Sequence, residues 1–352
     1  MQFESIFQSF ISVFGLVSFL ITLVVVKLTN KKNSLLLDVD FIKPQAFHHN
    51  PTPRSGGLAA MISLIIFYLI YFIIFKDLQV DYLIISLSLF SIGFLDDIKK
   101  NFSPKIRLSL MTVTLLVSIY YFNIRLINVD LIFLNTWLLN NFFNTLFILL
   151  CFLFIINGAN LIDGFNGLLA IHLLIINSIL LYINTKSGNN DLNLIIIGQV
   201  VVIFTFLLFN FPKAKVFLGD GGSYLFGSLT ALNIIKTNNF NTSISSFFFC
   251  TLLFYLFFEV FFSFFRKIFQ KKSPLKPDNE HLHMLTYAYL KKLSIFKDCN
   301  YLCSIIVNLV YFVLVFPILY FSDNGPICKY WFFFLLALYL IFYSRLYSFV
   351  KK

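Results

Sequence analysis

Charged residues are scarce in this chain of 352 residues: Asp, Glu, Lys and Arg make up 12%, whereas 59% of the residues are hydrophobic. The mean hydropathy is +0.85. A soluble protein of this length could not bury so many apolar side chains in one core, so the composition excludes an ordinary soluble domain. It predicts an all-α polytopic membrane protein, because lipid-exposed segments must satisfy their backbone hydrogen bonds internally.

Four further features are not apparent in the sequence: a disulfide framework, an internal repeat, a separate soluble domain and a cleavable leader. The five cysteines are scattered and predict no disulfide framework. Neither an internal repeat nor a separate soluble domain is apparent, so we treat 1–352 as a single integral membrane domain. The first apolar run lacks a basic leader and a small-residue cleavage site, so we expect it to be retained as a span.

Apolar runs near the length that crosses roughly 30 Å of hydrocarbon predict about eleven transmembrane helices, with ten as the alternative. They lie at 6–26, 55–75, 82–95, 106–122, 142–156, 167–184, 192–211, 224–236, 244–265, 301–321 and 331–349.

Lys and Arg are distributed unevenly over the connections between these spans. Of the 27 Lys and Arg, 22 fall on one side, including eight in the long loop 266–300. The positive-inside rule makes this side cytoplasmic, with the N-terminus outside and the C-terminus inside. The net charge of +11 then reflects topology and anionic lipid headgroups, and it requires no nucleic-acid partner.

Five polar clusters interrupt the apolar sequence, and this topology places all of them on the cytoplasmic face. They are HHNPTPRSGG (48–57), FLDD (94–97), NGANLIDGFNG (157–167), FLGDGGS (217–223) and DNEHLH (278–283). The last lies in the loop 266–300, which could form a lid. Because the clusters share one face, they are able to form a single site.

The carboxylates in the clusters indicate a metal site. Asp96 and Asp97 are about 100° apart on a helix, so we expect one to face a cavity and the other a partner; a solvated acidic helix end is the alternative. Asp220 lies between glycines at a predicted helix start, where free amides suit a phosphate. An acid there would repel a phosphate unless a divalent cation lay between them.

Asn157, Asn160 and Asp163 recur every three residues, which would place two amides and a carboxylate on one side of a helix. The alternative is that they, with their glycine neighbours, simply end a helix. Oxygen ligands from Asp220, Asn160 and further carboxylates favour Mg²⁺, or Mn²⁺, over a soft metal.

Cationic and imidazole groups complete the candidate site. The stiff segment PTPR could present Arg54 as a phosphate clamp, or could be a basic juxtamembrane loop. His281 and His283 are interpreted as donors to a pyrophosphate, with a zinc site as the weaker alternative. His172 and Glu259, at bilayer depth, are left outside the site. The clusters together fit phosphoryl transfer from a soluble donor to a lipid phosphate.

With these five motifs in order between Asp38 and Met284, the chain resembles the polyprenyl-phosphate N-acetylhexosamine-1-phosphate transferases, the MraY and WecA type of glycosyltransferase family 4. The resemblance implies transfer of a sugar-1-phosphate from a UDP-sugar to undecaprenyl phosphate in the bacterial inner membrane, with release of UMP. It implies that Asp220 holds Mg²⁺ with help from Asn160 and that Asp96 is the base. Asp97 and Asp163 are further catalytic candidates, which would position phosphates or nucleotide. The residues expected to bind substrate are Arg54, Lys105, Asn157, Asn166, His281 and His283.

Three positions depart from the family pattern. Asn166 stands where many relatives have a second aspartate, Lys99 and Lys100 follow the acidic pair, and Met284 shortens the histidine run. The form PTPR is more similar to the branch that starts O-antigen and related lipopolysaccharide or teichoic acid synthesis, which favours N-acetylglucosamine or a deoxy-N-acetylhexosamine. The phospho-N-acetylmuramoyl-pentapeptide branch, a secondary transporter and a lipid-binding scaffold are the alternatives, and a homodimer is left open.

Overall fold

The structure is a computed structural model that describes residues 2–31, 34–39, 50–99, 103–274, 276–294 and 298–351. His48, His49 and Lys100, which belong to sequence features noted above, lie outside these residues. The described chain forms fourteen α-helices. Their bounds are α1 Gln2–Thr29, α2 Gly56–Phe75, α3 Val80–Lys99, α4 Pro104–Tyr121, α5 Ile132–Leu138, α6 Asn141–Ile162, α7 Leu168–Ser187, α8 Asn190–Asn210, α9 Gly219–Phe240, α10 Ser246–Leu252, α11 Phe254–Phe269, α12 Leu282–Leu293, α13 Asn300–Val315 and α14 Gly325–Lys351.

Seven of these helices are long and apolar enough to cross a membrane, and the number is eight if α10 and α11, bent by 73° at their junction, form one broken span. The chain is therefore a helical multi-pass membrane protein. Each of the eleven predicted segments overlaps a helix, but α3, α4 and α9 are not among the seven. The number of crossings and the orientation of the termini stay predictions.

Helix α9 has a physical reason to be less apolar than the seven helices that could cross a membrane. Nearly all of its side chains are buried within the described protein, where it packs mainly against α3 and α6. A helix enclosed by other helices does not face lipid, so polar residues along it find protein partners. The Asn233 amide, for example, donates to Asn177 and Gln199 and accepts from the Tyr82 hydroxyl.

Two glycines allow the backbones around the start of α9 to approach closely. A Cβ on Gly93 of α3 would lie 2.4 Å from the carbonyl oxygen of Asp220. A Cβ on Gly57 of α2 would lie 2.3 Å from the amide nitrogen of Gly222. Only glycine leaves room for such contacts, and as a result the ends of α2 and α3 meet the N-terminus of α9.

A short antiparallel pairing lies beside this junction. Strand β1, Leu37–Asp38, pairs with strand β2, Thr52–Pro53. The amide of Phe217 donates to the carbonyl oxygen of Pro53, which ties the pairing to the segment that leads into α9. This arrangement brings Arg54 to the site described below.

Candidate active site

Residues from three distant clusters meet at the N-terminus of α9. The amide nitrogen of Asp220 lies 3.0 Å from Oδ1 of Asp97, although the two residues are 123 positions apart. The side chain of Asn160 reaches Asp220 from the end of α6. The FLDD, NLID and FLGDGGS motifs therefore lie together in the structure.

Asp97 caps helix α9. Its carboxylate accepts from the amides of Asp220 at 3.0 Å and Gly221 at 2.9 Å, and the residue is 2% exposed. Gly219 has φ of +76°, and a Cβ there would lie 2.6 Å from Oδ2 of Asp97. Burial and then the charge of Asp220 raise the pKa of Asp97 to about 8, against the amide hydrogen bonds and Arg54, which favour the charged form. Two of the helix amides that we expected to suit a phosphate thus donate to Asp97 instead.

Asp96 faces away from this cap, as the angle between adjacent helical residues predicts. Its Oδ2 accepts a hydrogen bond from Nη1 of Arg107, and the same nitrogen lies 2.9 Å from Oδ2 of Asp220. Burial and then Asp220 raise the pKa of Asp96 to about 6, with Arg107 opposing the rise. Two carboxylates therefore converge on one cationic nitrogen.

Asn160 and Ser223 hold the other side of Asp220. The Asn160 amide nitrogen donates to Oδ1 of Asp220 at 2.9 Å and to the Ser223 hydroxyl at 3.0 Å. In this orientation the amide presents its NH₂ group to the carboxylate, so the observed contact orients Asp220. Coordination of a metal by the Asn160 oxygen stays a prediction.

The donor set fits a magnesium ion that would be bound partly by the protein and partly by substrate phosphates. Mg²⁺ is commonly bound by one or two carboxylates together with water and substrate phosphates, rather than by a complete protein cage. Asp96 and Asp220 supply two such oxygens at the position of the Arg107 nitrogen. Within the described ranges, no group of three or more His, Cys, Asp or Glu is arranged to hold a metal by itself.

The remaining residues of the NGANLIDGFNG cluster have different surroundings. Asp163 lies immediately after α6, and burial followed by the charges of Asp220 and Asp97 raises its pKa well above the usual range. The Asn157 amide donates to the Leu153 carbonyl of its own helix. Asn166 donates from its backbone to Asn300 and from its side chain to the Pro212 carbonyl, so these bonds connect the turn after α6 to two other segments.

Arg54 and Lys105, both expected to contact phosphate, differ in their contacts. Arg54 donates to Oδ2 of Asp38 from Nε at 2.8 Å and from Nη2 at 2.5 Å, while its Nη1 lies 3.8 Å from Asp97. Arg54 is therefore held at the site in a fixed orientation. Lys105 is exposed on the first turn of α4, and the structure shows no ion pair for it with the described residues.

The two histidines of the HLH motif are buried against α11. Nδ1 of His281 lies 3.0 Å from Oε1 of Glu259, and its Nε2 lies 3.2 Å from Oδ1 of Asp278. Nδ1 of His283 lies 3.0 Å from the Tyr255 hydroxyl, and burial lowers the pKa of His283 to about 3.

The HLH motif is connected to the site through an aromatic contact. The His283 ring packs edge-on against Phe165 at 5.8 Å, beside the turn after α6. His281 is thus oriented by two carboxylates, and a role of either ring toward pyrophosphate stays a prediction.

Four residues of these networks were absent from the predicted site. Arg107 is two positions after Lys105, on roughly the opposite side of its helix, and sequence alone does not show which of the two faces the carboxylates. Asp38 and Ser223 are short polar residues without a distinctive spacing. Glu259 could have been included from the sequence, because an acid at bilayer depth is functional by default. It accepts from the Tyr339 hydroxyl at 2.7 Å and the Leu282 amide as well as contacting His281.

Comparison with known families agrees with this arrangement. A family model described as glycosyl transferase family 4 matches residues 80–238. This range contains Asp96, Asp97, Asn160, Asp163 and Asp220, whereas Arg54 and the HLH motif lie outside it.

Curated relatives extend the similarity beyond this range. An undecaprenyl-phosphate alpha-N-acetylglucosaminyl 1-phosphate transferase of Thermotoga maritima is 28% identical over 280 residues, covering 77% of this chain and 82% of the relative. A probable undecaprenyl-phosphate N-acetylglucosaminyl 1-phosphate transferase of Bacillus subtilis is 27% identical over 291 residues, 78% of this chain and 76% of the relative. A phospho-N-acetylmuramoyl-pentapeptide-transferase of Staphylococcus carnosus is 28% identical over 247 residues, 65% of this chain and 77% of the relative.

Proposed function

Because the family model for glycosyl transferase family 4 matches residues 80–238 and the relatives extend the similarity over most of the chain, we propose that the protein is a member of this family. We propose that it transfers an N-acetylhexosamine-1-phosphate from a UDP-sugar to undecaprenyl phosphate. The products are undecaprenyl-diphosphate-linked sugar and UMP. The names of the relatives in Thermotoga maritima and Bacillus subtilis support the acceptor and the N-acetylglucosaminyl group. We place the reaction at the cytoplasmic face of the bacterial inner membrane, where it would start a cell-envelope polysaccharide.

One observation carries this proposal: the carboxylates of Asp96 and Asp220 converge on a single cationic position, beside the buried cap that Asp97 forms on α9. We propose that Asp220 and Asp96 hold Mg²⁺ there, with Asn160 orienting Asp220. When bound, the ion would neutralise charge on the transferring phosphoryl group. Arg54, fixed by Asp38, supplies a cationic group beside Asp97 for a substrate phosphate.

The reaction that fits these groups is a direct displacement at phosphorus. An oxygen of the lipid phosphate forms a bond to the β-phosphorus of the UDP-sugar, and the bond from that phosphorus to the UMP oxygen breaks with its electron pair leaving on UMP. Any proton on the attacking phosphate passes to Oδ1 of Asp96, because Oδ2 is the oxygen assigned to the metal position. Asp96 is favoured over Asp97 as the base because both oxygens of Asp97 accept from backbone amides inside the protein. A covalent intermediate on a carboxylate is the alternative, and no feature of the site requires it.

The choice of sugar is the finer part of the proposal. We favour N-acetylglucosamine or a deoxy-N-acetylhexosamine over the muramoyl-pentapeptide, on the PTPR segment and on the fuller coverage of this chain by the two N-acetylglucosaminyl transferases. The loop 266–300, with α12 and the HLH motif, is the proposed specificity region.

A panel of UDP-sugars tests activity and specificity together. Purified protein in detergent is mixed with undecaprenyl phosphate and each donor, and UMP release is measured. We expect UMP only when both substrates are present, with UDP-N-acetylglucosamine or a deoxy relative turned over and UDP-N-acetylmuramoyl-pentapeptide not. Turnover of the pentapeptide donor alone would reassign the branch, and no UMP from any pair would refute the transferase activity.

Replacing Asp220 tests the site. We expect Asp220→Ala to lower kcat/KM for UMP release at least about 100-fold, or roughly 3 kcal/mol of transition-state stabilisation. The reason is that Asp220 is the carboxylate shared by Asn160 and Arg107. Asp323→Ala removes an exposed acid remote in sequence from the motifs and serves as the matched control. Unchanged turnover in a folded Asp220→Ala variant would remove Asp220 from the active site.

A further inference from the structure

Arg107 occupies the position that a divalent cation would need. Its Nη1 is hydrogen-bonded to Oδ2 of both Asp96 and Asp220. The three side chains are partly shielded, at 22% exposed for Arg107, 14% for Asp96 and 22% for Asp220. The guanidinium also lies over the ring of Tyr224, with 5.7 Å from Cζ to the ring centroid.

We propose that Arg107 is a cationic latch: it holds Asp96 and Asp220 together in the metal-free protein and moves to a substrate phosphate when a divalent cation takes its place. This inference rests on the proposed function, because it assumes that the same two carboxylates bind the metal. It assigns to Arg107 a positioning role that neither the motifs nor the relatives' names indicate.

The electrostatic balance explains why a latch is needed. Four acidic side chains, those of Asp96, Asp97, Asp163 and Asp220, lie around the start of α9 and the end of α6. The other arginine of the site, Arg54, is already hydrogen-bonded to Asp38. Without Arg107 between them, Asp96 and Asp220 would face each other as like charges in a partly buried site, which is unfavourable.

Arg107 and a divalent cation would compete for the same two carboxylate oxygens. The oxygens bonded to Arg107 Nη1 are the same Oδ2 atoms that face the metal position, so the guanidinium and the cation cannot both occupy it. The structure shows no hydrogen bond from Nε or Nη2 of Arg107 to a described residue, which leaves these donors for a phosphate. A guanidinium forms two parallel hydrogen bonds to phosphate oxygens, so the displaced side chain has a favourable new partner beside the metal.

Binding of Mn²⁺ alone, followed by electron paramagnetic resonance of the free ion, tests the latch without any turnover. If the latch is closed in at least about nine of ten molecules, the apparent Kd for Mn²⁺ is raised about tenfold over the intrinsic value. We therefore expect Arg107→Met to bind Mn²⁺ about tenfold more tightly than the wild type. Lys215→Met, which removes an exposed cation five residues before Asp220, is the matched control and should change the affinity little.

A second measurement tests the other position of the side chain. With Mn²⁺ saturating, inorganic pyrophosphate should bind Arg107→Met about tenfold more weakly than the wild type, since one of its cationic donors is missing. Arg107→Lys keeps the charge and should lie between the two in both measurements. If Arg107→Met does not fold in detergent, Arg107→Gln carries the same expectations, because it also removes the charge.

The outcomes separate this inference from the proposed function. Equal or weaker Mn²⁺ binding by the folded Arg107 variants, with a wild type that does bind Mn²⁺, overturns the latch and leaves the metal site in place. Unchanged pyrophosphate affinity overturns the movement to phosphate. If neither the wild type nor any Arg107 variant binds Mn²⁺, both the latch and the proposed metal assignment are wrong.

Discussion

Removal of divalent cations should abolish UMP release, and added Mg²⁺ should restore it. Two carboxylates, those of Asp96 and Asp220, converge where we propose that the ion binds, and the proposed substrates carry several negative charges on their phosphates. Without a cation these charges would repel one another and the carboxylates at the site. We expect turnover in EDTA to fall at least about 1,000-fold, equivalent to roughly 4 kcal/mol.

The control for chelation is EDTA saturated beforehand with Mg²⁺, which should leave turnover unchanged. A thermal unfolding curve of the EDTA-treated protein should show that the fold survives, because Arg107 bridges the two carboxylates in the metal-free state. Full turnover in excess chelator would refute the metal-dependent mechanism while leaving the family assignment intact.

Asp96→Asn should lower kcat about 1,000-fold with a smaller change in KM. A general base contributes about 10² to 10⁴ in rate, and an amide cannot accept the acceptor's proton. Asn is nearly isosteric with Asp and still accepts a hydrogen bond from Arg107, so the helices around the site should stay in place. Single-turnover measurements with saturating substrates would separate the chemical step from binding.

Asp97→Asn is the matched comparison, because it makes the same chemical change at the adjacent residue. Asp97 accepts from the amides of Asp220 and Gly221. Its replacement should mainly lower stability, by about 1 to 3 kcal/mol, because one acceptor oxygen becomes an NH₂ group and leaves a buried backbone amide without its partner. If Asp97→Asn lost the chemical step while Asp96→Asn kept wild-type kcat, the base would have to be Asp97.

Composition and periodicity were sufficient for the class of the protein and for much of its helical layout. Apolar runs of span length predicted segments that all overlap helices, because the bilayer imposes that length on a helix. The angle between adjacent helical residues also predicted the division between Asp96 and Asp97. Helix length and the angle between adjacent residues are local properties of the chain. They can therefore be predicted without knowing which residues pack against each other in the folded protein.

The surroundings of helix α9 could not be predicted from its own sequence. Its sequence is less apolar than that of a lipid-facing span, and only its enclosure by α3 and α6 explains how it is accommodated. The amides at its N-terminus suggested a phosphate site. However, Gly93 and Gly57 allow the neighbouring backbones to approach so closely that Asp97, rather than a phosphate, accepts hydrogen bonds from those amides. A contact between residues 123 positions apart has no signal in either segment alone.

The amino-acid sequence by itself determined that this is a helical membrane protein with polar motifs of one transferase family, because hydrophobic length and motif order are properties of the chain. Only the tertiary structure decided the contacts of the individual polar groups. It showed that Asp97 caps a helix, that Glu259 and Asp278 orient His281, and that Arg107 rather than Lys105 bridges Asp96 and Asp220. The physical reason is that hydrogen bonds and ion pairs act over about 3 to 4 Å, a distance that is set by the packing of helices far apart in the sequence.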